Sequence, residues 1–153
     1  MQPLATIGYE AATVPGVLDA LQEEGVDLLA DIRAVAASRR PGFAKSRLAA
    51  NLGDAGIDYL HLRQLGTPAE GRAAARAGHY DELREIYTQH LETPGAQDEL
   101  ETLAELIRSG RHVCLLCFEA NHTHCHRSLV ADALTALLPI QVTHLSPGNA
   151  GAK

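Results

Sequence analysis

His112-Val113-Cys114-Leu115-Leu116-Cys117-Phe118 is a near-continuous apolar run held between Arg111 and Glu119. A strand with one wet face would place a polar residue at every second position. No position from Val113 to Phe118 is charged, so the run reads as a strand covered on both faces and central in its sheet. The pattern continues on either side. Toward the carboxyl end, Leu129, Val130, Ala133, Leu134, Leu137 and Leu138 recur at helical spacing, Pro139 stops that helix, and Ile140 to Leu145 supplies a further strand. Toward the amino end lie two helical patterns, Tyr80 to Leu91 and Ala96 to Ile107, split by Thr93-Pro94-Gly95. Before them come a strand over Ile57 to Leu62, a helical face of Leu48, Leu52 and Ala55, and a loop from Arg33 to Lys45 holding Pro41-Gly42. Val26 to Ile32 reads as a strand, Val14 to Leu21 as a helix closed by Gly25, and Leu4 to Ile7 as a strand turning at Gly8. Gly66 to Gly78 has no clear period and is expected to be a long irregular connection.

Strand and helix alternating in this way predict a single α/β domain, a mostly parallel sheet of about five strands flanked by helices on both faces. It is expected to span residues 1–146, with a flexible tail over 147–153. The chain has 153 residues, 46% of them hydrophobic, a length that lets one domain bury roughly 68–70% of its unfolded surface. Leu, Val, Ile and Ala in nearly every segment exclude intrinsic disorder. No apolar run approaches the ~18–20 residues of a membrane span, so no membrane partner is expected. Met1-Gln2-Pro3 lacks a signal-peptide pattern, and an odd count of 3 cysteines does not make a secreted disulfide framework. The cytoplasm is the expected compartment. A net charge of −6 argues against a surface uniformly basic for nucleic acid.

Parallel α/β sheets place their sites beyond the carboxyl ends of the strands. Four such ends carry polar groups here: Gly8-Tyr9-Glu10, Asp31-Ile32-Arg33, His61, and Cys117-Phe118-Glu119, the last leading to Cys125-His126-Arg127 at the start of the final helix. A thiol at a helix start is pulled toward the thiolate by the helix dipole and by a neighbour such as Arg127. The same amides suit a phosphate or carboxylate, with Arg127 as a bidentate partner. Asp31 and Glu119 are the acid/base candidates, and Arg33 can orient either one or bind an anion. The plainer alternative is that Asp31 and Arg33 pair only with each other.

Cys117, His122, His124, Cys125 and His126 offer five soft or borderline ligands, which makes zinc an alternative, although no cofactor or metal is expected. Cys114 and Cys117 lie three apart on a strand and point to opposite faces, so they make no zinc knuckle, and Cys114 is expected in the core. A Cys117–Cys125 disulfide is conceivable but not expected to persist in a reducing compartment. The loop Arg33 to Arg47 carries Arg33, Arg39, Arg40, Lys45 and Arg47 around Phe43, which either stacks on a planar ligand or folds back onto the core. His79 to Leu106, by contrast, holds eight acidic residues and only Arg84 as a strong base, so the chain is charge-polarised.

Five blocks in order resemble a known family: Thr6-Ile7-Gly8-Tyr9-Glu10, Asp31-Ile32-Arg33, Ser38-Arg39 with Pro41-Gly42-Phe43-Ala44-Lys45, Gly56 to Leu62 with Leu65-Gly66-Thr67-Pro68, and Leu115 to Glu119 with Cys125-His126-Arg127. Together they are similar to the bacterial and archaeal domain of unknown function 488, from about Leu4 to about Leu145. The resemblance implies a small cytoplasmic α/β domain whose signature residues are the same strand-end groups, and it brings no known reaction. Many relatives have His-Ser at Tyr9-Glu10, glycine at Ala11 and charged residues between Glu119 and Cys125.

The expected function is that of an enzyme or ligand-binding domain for a small anionic or nucleotide-like molecule, with transferase or hydrolase chemistry. Cys125 is the expected nucleophile or anion-site thiol, Glu119 or Asp31 the acid/base, and Arg33 and Arg127 the anion clamps. Tyr9, Glu10, His61, Phe43, Lys45, Arg39, His126 and Cys117 are expected around the ligand. The alternatives are a nucleic-acid-binding or nucleic-acid-processing domain using the basic loop and Phe43, and a metal or thiol-redox module built on the cysteines and histidines.

Overall fold

The computed structural model describes residues 1–147; the expected tail falls, from residue 148 on, outside the described residues. The chain runs β1 (Gln2–Gly8), α1 (Val14–Glu24), β2 (Leu28–Asp31), α2 (Lys45–Asp54), β3 (Asp58–His61), α3 (Ala69–Arg76), α4 (Tyr80–Leu91), α5 (Pro94–Arg108), β4 (Val113–Cys117), α6 (Arg127–Thr135) and β5 (Ile140–Leu145). Short 3₁₀ turns lie at Arg63–Leu65 and His122–His124. The five strands form one parallel sheet in the order β3-β2-β4-β1-β5. The doubly apolar β4 is therefore the middle strand, as its composition predicts.

Helix boundaries follow local chemistry. Thr13 Oγ1 accepts from the Gly16 amide at 3.2 Å and Pro15 sits in the first turn of α1, while Gly25 at φ 86° ends that helix. Thr93 and Pro94 start α5 in the same manner.

Crossovers between parallel strands are right-handed, so the direction of each step decides which face its helix covers. The steps β1 to β2 and β2 to β3 go one way, and α1 and α2 lie on one face. There Val17, Leu21, Leu48 and Leu52 pack on Ala5, Ile7, Leu29, Cys114 and Leu116. The steps β3 to β4 and β4 to β5 go the other way. On that side Leu100, Leu103, Val130 and Leu134 pack on Leu4, Leu28, Ala30, Val113 and Leu115.

One segment departs from expectation. Residues 66–78 are not an irregular connection, since α3 occupies eight of them. Its sequence, Ala-Glu-Gly-Arg-Ala-Ala-Ala-Arg, buries only Gly71 and Ala74, so no large apolar residue marks a period. High alanine helix propensity and close packing of Gly71 against Thr67, Leu83 and Ile86 hold it in place.

At the end of β1, Gly8 lets two backbones meet. A Cβ there would collide with the Glu119 carbonyl and lie 2.9 Å from Arg127 Nη1. Backbone cannot yield as a side-chain tip can, so Gly8→Ala is expected to cost about 1–3 kcal/mol through overpacking. Urea unfolding measures this; an unchanged midpoint would contradict the close approach.

Candidate functional site

From β1 the chain leaves toward β2, and from the adjacent β4 it leaves toward β5. Neighbouring strands whose connections part in opposite directions open a crevice at their carboxyl ends. A cleft of about 410 Å³ lies there. Its lining includes Tyr9 after β1, Arg33 after β2, Cys117 and Glu119 from the end of β4, and Cys125 and His126 before α6.

Asp31 and Arg33 face each other within this edge as a closed pair. Arg33 Nε and Nη2 donate to Asp31 Oδ1 at 2.8 Å and Oδ2 at 2.7 Å, and the Arg33 amide donates to Oδ1 at 3.1 Å. Tyr59 Oη donates to Oδ2 at 2.5 Å. Arg33 Nη1 is spent on the Tyr9 hydroxyl at 3.0 Å and the Phe43 carbonyl at 2.9 Å. Asp31 is wholly buried and Arg33 nearly so. Burial works against the Arg33 charge, but the bond and charge of Asp31, helped by Tyr9, outweigh it and hold the guanidinium above its ordinary value. This pair is thus a strut: it fixes the β2 end and the Tyr9 ring, and its carboxylate has no free edge toward the cleft.

Arg127 solves its burial differently. It is 1% exposed and forms no ion pair among the described residues. Nε donates to Thr6 Oγ1 at 3.1 Å, Nη1 to the Glu119 carbonyl and to Cys117 Sγ at 3.2 Å, and Nη2 to the Ala120 carbonyl at 3.1 Å. Burial pulls its pKa down to about 10.

Cys117 and Cys125 are joined as a disulfide, the pairing that the sequence suggested but did not favour. Cys125 also stands ahead of the last helix and not in its first turn. Its backbone is extended at φ −134°, its amide bonds the His122 carbonyl at 3.2 Å, and His126 is the residue that caps α6. The helix dipole therefore reaches this sulfur less directly than its position in sequence suggests. His126 Nε2 meets the Ile32 carbonyl at 2.6 Å, and Nδ1 lies 3.6 Å from Cys125 Sγ. Burial pushes its pKa down to about 4, so the ring is neutral. Cys114 lies in the core on the opposite face of the sheet, as its alternation with Cys117 requires.

Glu119 is half-buried and is the one carboxylate lining the cleft among the described residues. Burial raises its pKa, and the nearby Glu10 adds to the rise.

Of the residues singled out by sequence, Tyr9, Arg33, Cys117, Glu119, Cys125 and His126 meet in the cleft. Asp31 and Arg127 lie behind it, holding Arg33 and Cys117. Glu10 is exposed and accepts from the Ala120 amide at 3.0 Å, and His61 Nε2 lies 2.8 Å from the Arg33 carbonyl. Phe43 is 1% exposed and stacked on Tyr9 at 4.5 Å, so it supports that ring and offers no face to a base. Arg39 and Lys45 are exposed and do not line the cleft. Sequence reasoning missed Arg72 and Arg76, which line it from α3. Their four-residue spacing was the available signal, hidden because the segment was not read as a helix.

Fold and cleft together define a parallel α/β domain with a cleft at the carboxyl edge of its sheet. The chain belongs to the family described as domain of unknown function DUF488, which matches residues 13–134. That span begins after β1 and is narrower than the resemblance from Leu4 to Leu145. No curated protein and no solved structure matches the chain.

Removing Arg33 leaves Asp31 charged and enclosed. Arg33→Ala is expected to lose about 3–5 kcal/mol of stability. Arg76→Ala, at the exposed rim, should stay within about 0.5 kcal/mol of the parent. Chemical denaturation of both variants checks this, and equal midpoints would contradict a structural role for the pair.

Proposed function

We propose that this domain takes a small anionic molecule, of nucleotide size or less, into the cleft and acts on it with the groups at the end of β4. The observation that carries this reading is the charge of the lining: Arg72 and Arg76 form no ion pair among the described residues, and Glu119 is the only carboxylate among those that line the cleft with them. Arg72 Nη1 donates to the Thr67 carbonyl at 2.8 Å, which leaves its Nε and Nη2, with the Arg76 guanidinium, to attract and hold a phosphate or carboxylate. A volume of about 410 Å³ falls in the range of small-molecule sites, and Val35, Phe118 and Leu83 supply an apolar wall. Glu119, held toward its neutral form by burial, is the group suited to exchange a proton with the bound molecule. Arg33 acts by positioning Tyr9, since its own donors are committed.

The Cys117–Cys125 bond favours a second reading, a thiol-redox module. Reduction takes two electrons and two protons from a dithiol and frees two thiols at the cleft floor. Thiol titration before and after reduction assays that chemistry separately from ligand binding.

Thermal shift with inorganic phosphate, ribose 5-phosphate, adenosine 5′-monophosphate and pyruvate tests the main reading. A probe present at 100 times its Kd stabilises by about 2.7 kcal/mol, which is several degrees of Tm for a chain of this size. Arg72→Ala combined with Arg76→Ala should abolish the shift while leaving the unliganded Tm nearly unchanged. Absence of a shift with all four probes, or a shift that survives the double substitution, would overturn the anion site.

A further inference from the structure

We propose that, once reduced, Cys117, Cys125 and His126 hold a zinc ion at the floor of the cleft. This goes beyond the anion site, because it stands on the sulfur and imidazole groups and not on what the ligand is. One ligand atom from each residue lies within 4.8 Å of the other two. The two sulfurs are bonded to each other here, and once reduction frees them they need only separate within that reach to share one tetrahedral ion, with Zn–S of about 2.3 Å and Zn–N of about 2.0–2.1 Å.

The imidazole is already arranged as a ligand. The Ile32 carbonyl can only accept, so the proton sits on His126 Nε2 and the lone pair of Nδ1 faces Cys125 Sγ. His126 is 6% exposed, and a disulfide sulfur carries no proton to give it. Nδ1 is therefore a buried acceptor aimed at the sulfurs without a donor, a state that costs free energy and that a cation would relieve.

Arg127 points the same way. It is a buried guanidinium in no ion pair among the described residues, and Nη1 lies 3.2 Å from Cys117 Sγ. Against a neutral disulfide that contact is weak, whereas against a thiolate it is a charge-assisted hydrogen bond of the kind that outer partners make to zinc ligands. The backbone suits a shared ion as well. The two Cα atoms stand 7.3 Å apart, outside the about 4.4–6.8 Å usual for a disulfide, so two separate thiolates fit without drawing the loop inward. Thiolate and imidazole together select zinc over the hard cations magnesium and calcium. Three protein ligands are one fewer than a closed structural site has, and all three residues line the cleft, which leaves the fourth position to a molecule entering there.

The chemistry balances simply. A dithiol reductant gives two electrons and two protons to the disulfide and is itself oxidised; zinc then displaces the thiol protons into solvent.

The test uses the full chain without a histidine tag, reduced and stripped of metal, titrated with zinc against a chromogenic chelator and with cobalt(II) as a spectroscopic probe. The expected result is one ion per chain and a thiolate-to-cobalt charge-transfer band. Cys114→Ser should retain both. Cys125→Ser should weaken the band, since only the Cys117 thiolate remains, and weaken zinc binding by more than the roughly 10–100-fold that loss of an outer partner costs. Oxidation of the unmutated chain to the Cys117–Cys125 disulfide should abolish binding and re-reduction restore it, a comparison that needs no variant to fold. No binding by the reduced chain, or binding indifferent to oxidation, overturns the zinc site. A chain that binds zinc but none of the four anions sinks the anion site alone, and the converse sinks the zinc site alone.

Discussion

All five residues of β4 are buried, so its backbone must find its hydrogen-bond partners in β2 and β1, and its side chains must be covered from both faces. This enclosure dictates how the cleft arises. Parallel neighbours need long crossovers, right-handedness sends the helices of opposite steps to opposite faces, and the residues just after β4 emerge where those connections part. Cys117 thus reaches the cleft as the last residue of a fully covered strand, and Phe118 and Glu119 as the first to leave it.

Two buried guanidinium groups frame this opening, and they are held by different means. Arg33 has its counter-charge two residues away on the same strand end, and every donor directed at Asp31, Tyr9 or Phe43 reinforces one arrangement. Such a pair adds little net stability over an apolar replacement but is costly to break, so its main effect is to fix a geometry. Arg127 gathers Thr6 of β1, Cys117 of β4 and the carbonyls of Glu119 and Ala120, joining three segments at one point. Its hydrogen bonds go only to dipoles and to sulfur, with the Glu119 carboxylate adding a more distant attraction. That difference separates a residue held by a counter-charge from one held by the segments it joins.

The fold was legible in the sequence because it is written in periodicity. The covered run Val113 to Cys117, the alternating apolar segments and the cap residues Thr13, Gly25 and Thr93 all carry local physical signals. Convergence of Tyr9, Arg33, Cys117, Glu119 and Cys125 followed from the rule for strand ends. What escaped was non-local. Strand order is set by packing that no single segment encodes, and α3 buries alanine and glycine in place of a large apolar stripe, so Arg72 and Arg76 had no frame to appear on. Phe43 could face a ligand or the core on sequence grounds; the space under Tyr9 decided it.

Tyr9 shows how these layers join. Its ring is stacked on Phe43, meets Phe118 edge-on at 5.4 Å and accepts from Arg33 through its hydroxyl. Core packing, the Asp31–Arg33 strut and the exposed Phe118 at the mouth are therefore one connected body. On the β2 side the cleft wall belongs to that body, while the β4 side is formed by Cys117, Cys125 and the loop between them. Arg127 meets Cys117 Sγ at 3.2 Å and the carbonyls of Glu119 and Ala120, and so ties the sulfur to the start of that loop. The cleft thus has one wall braced by the Asp31–Arg33 pair and one braced by the Cys117–Cys125 bond and Arg127.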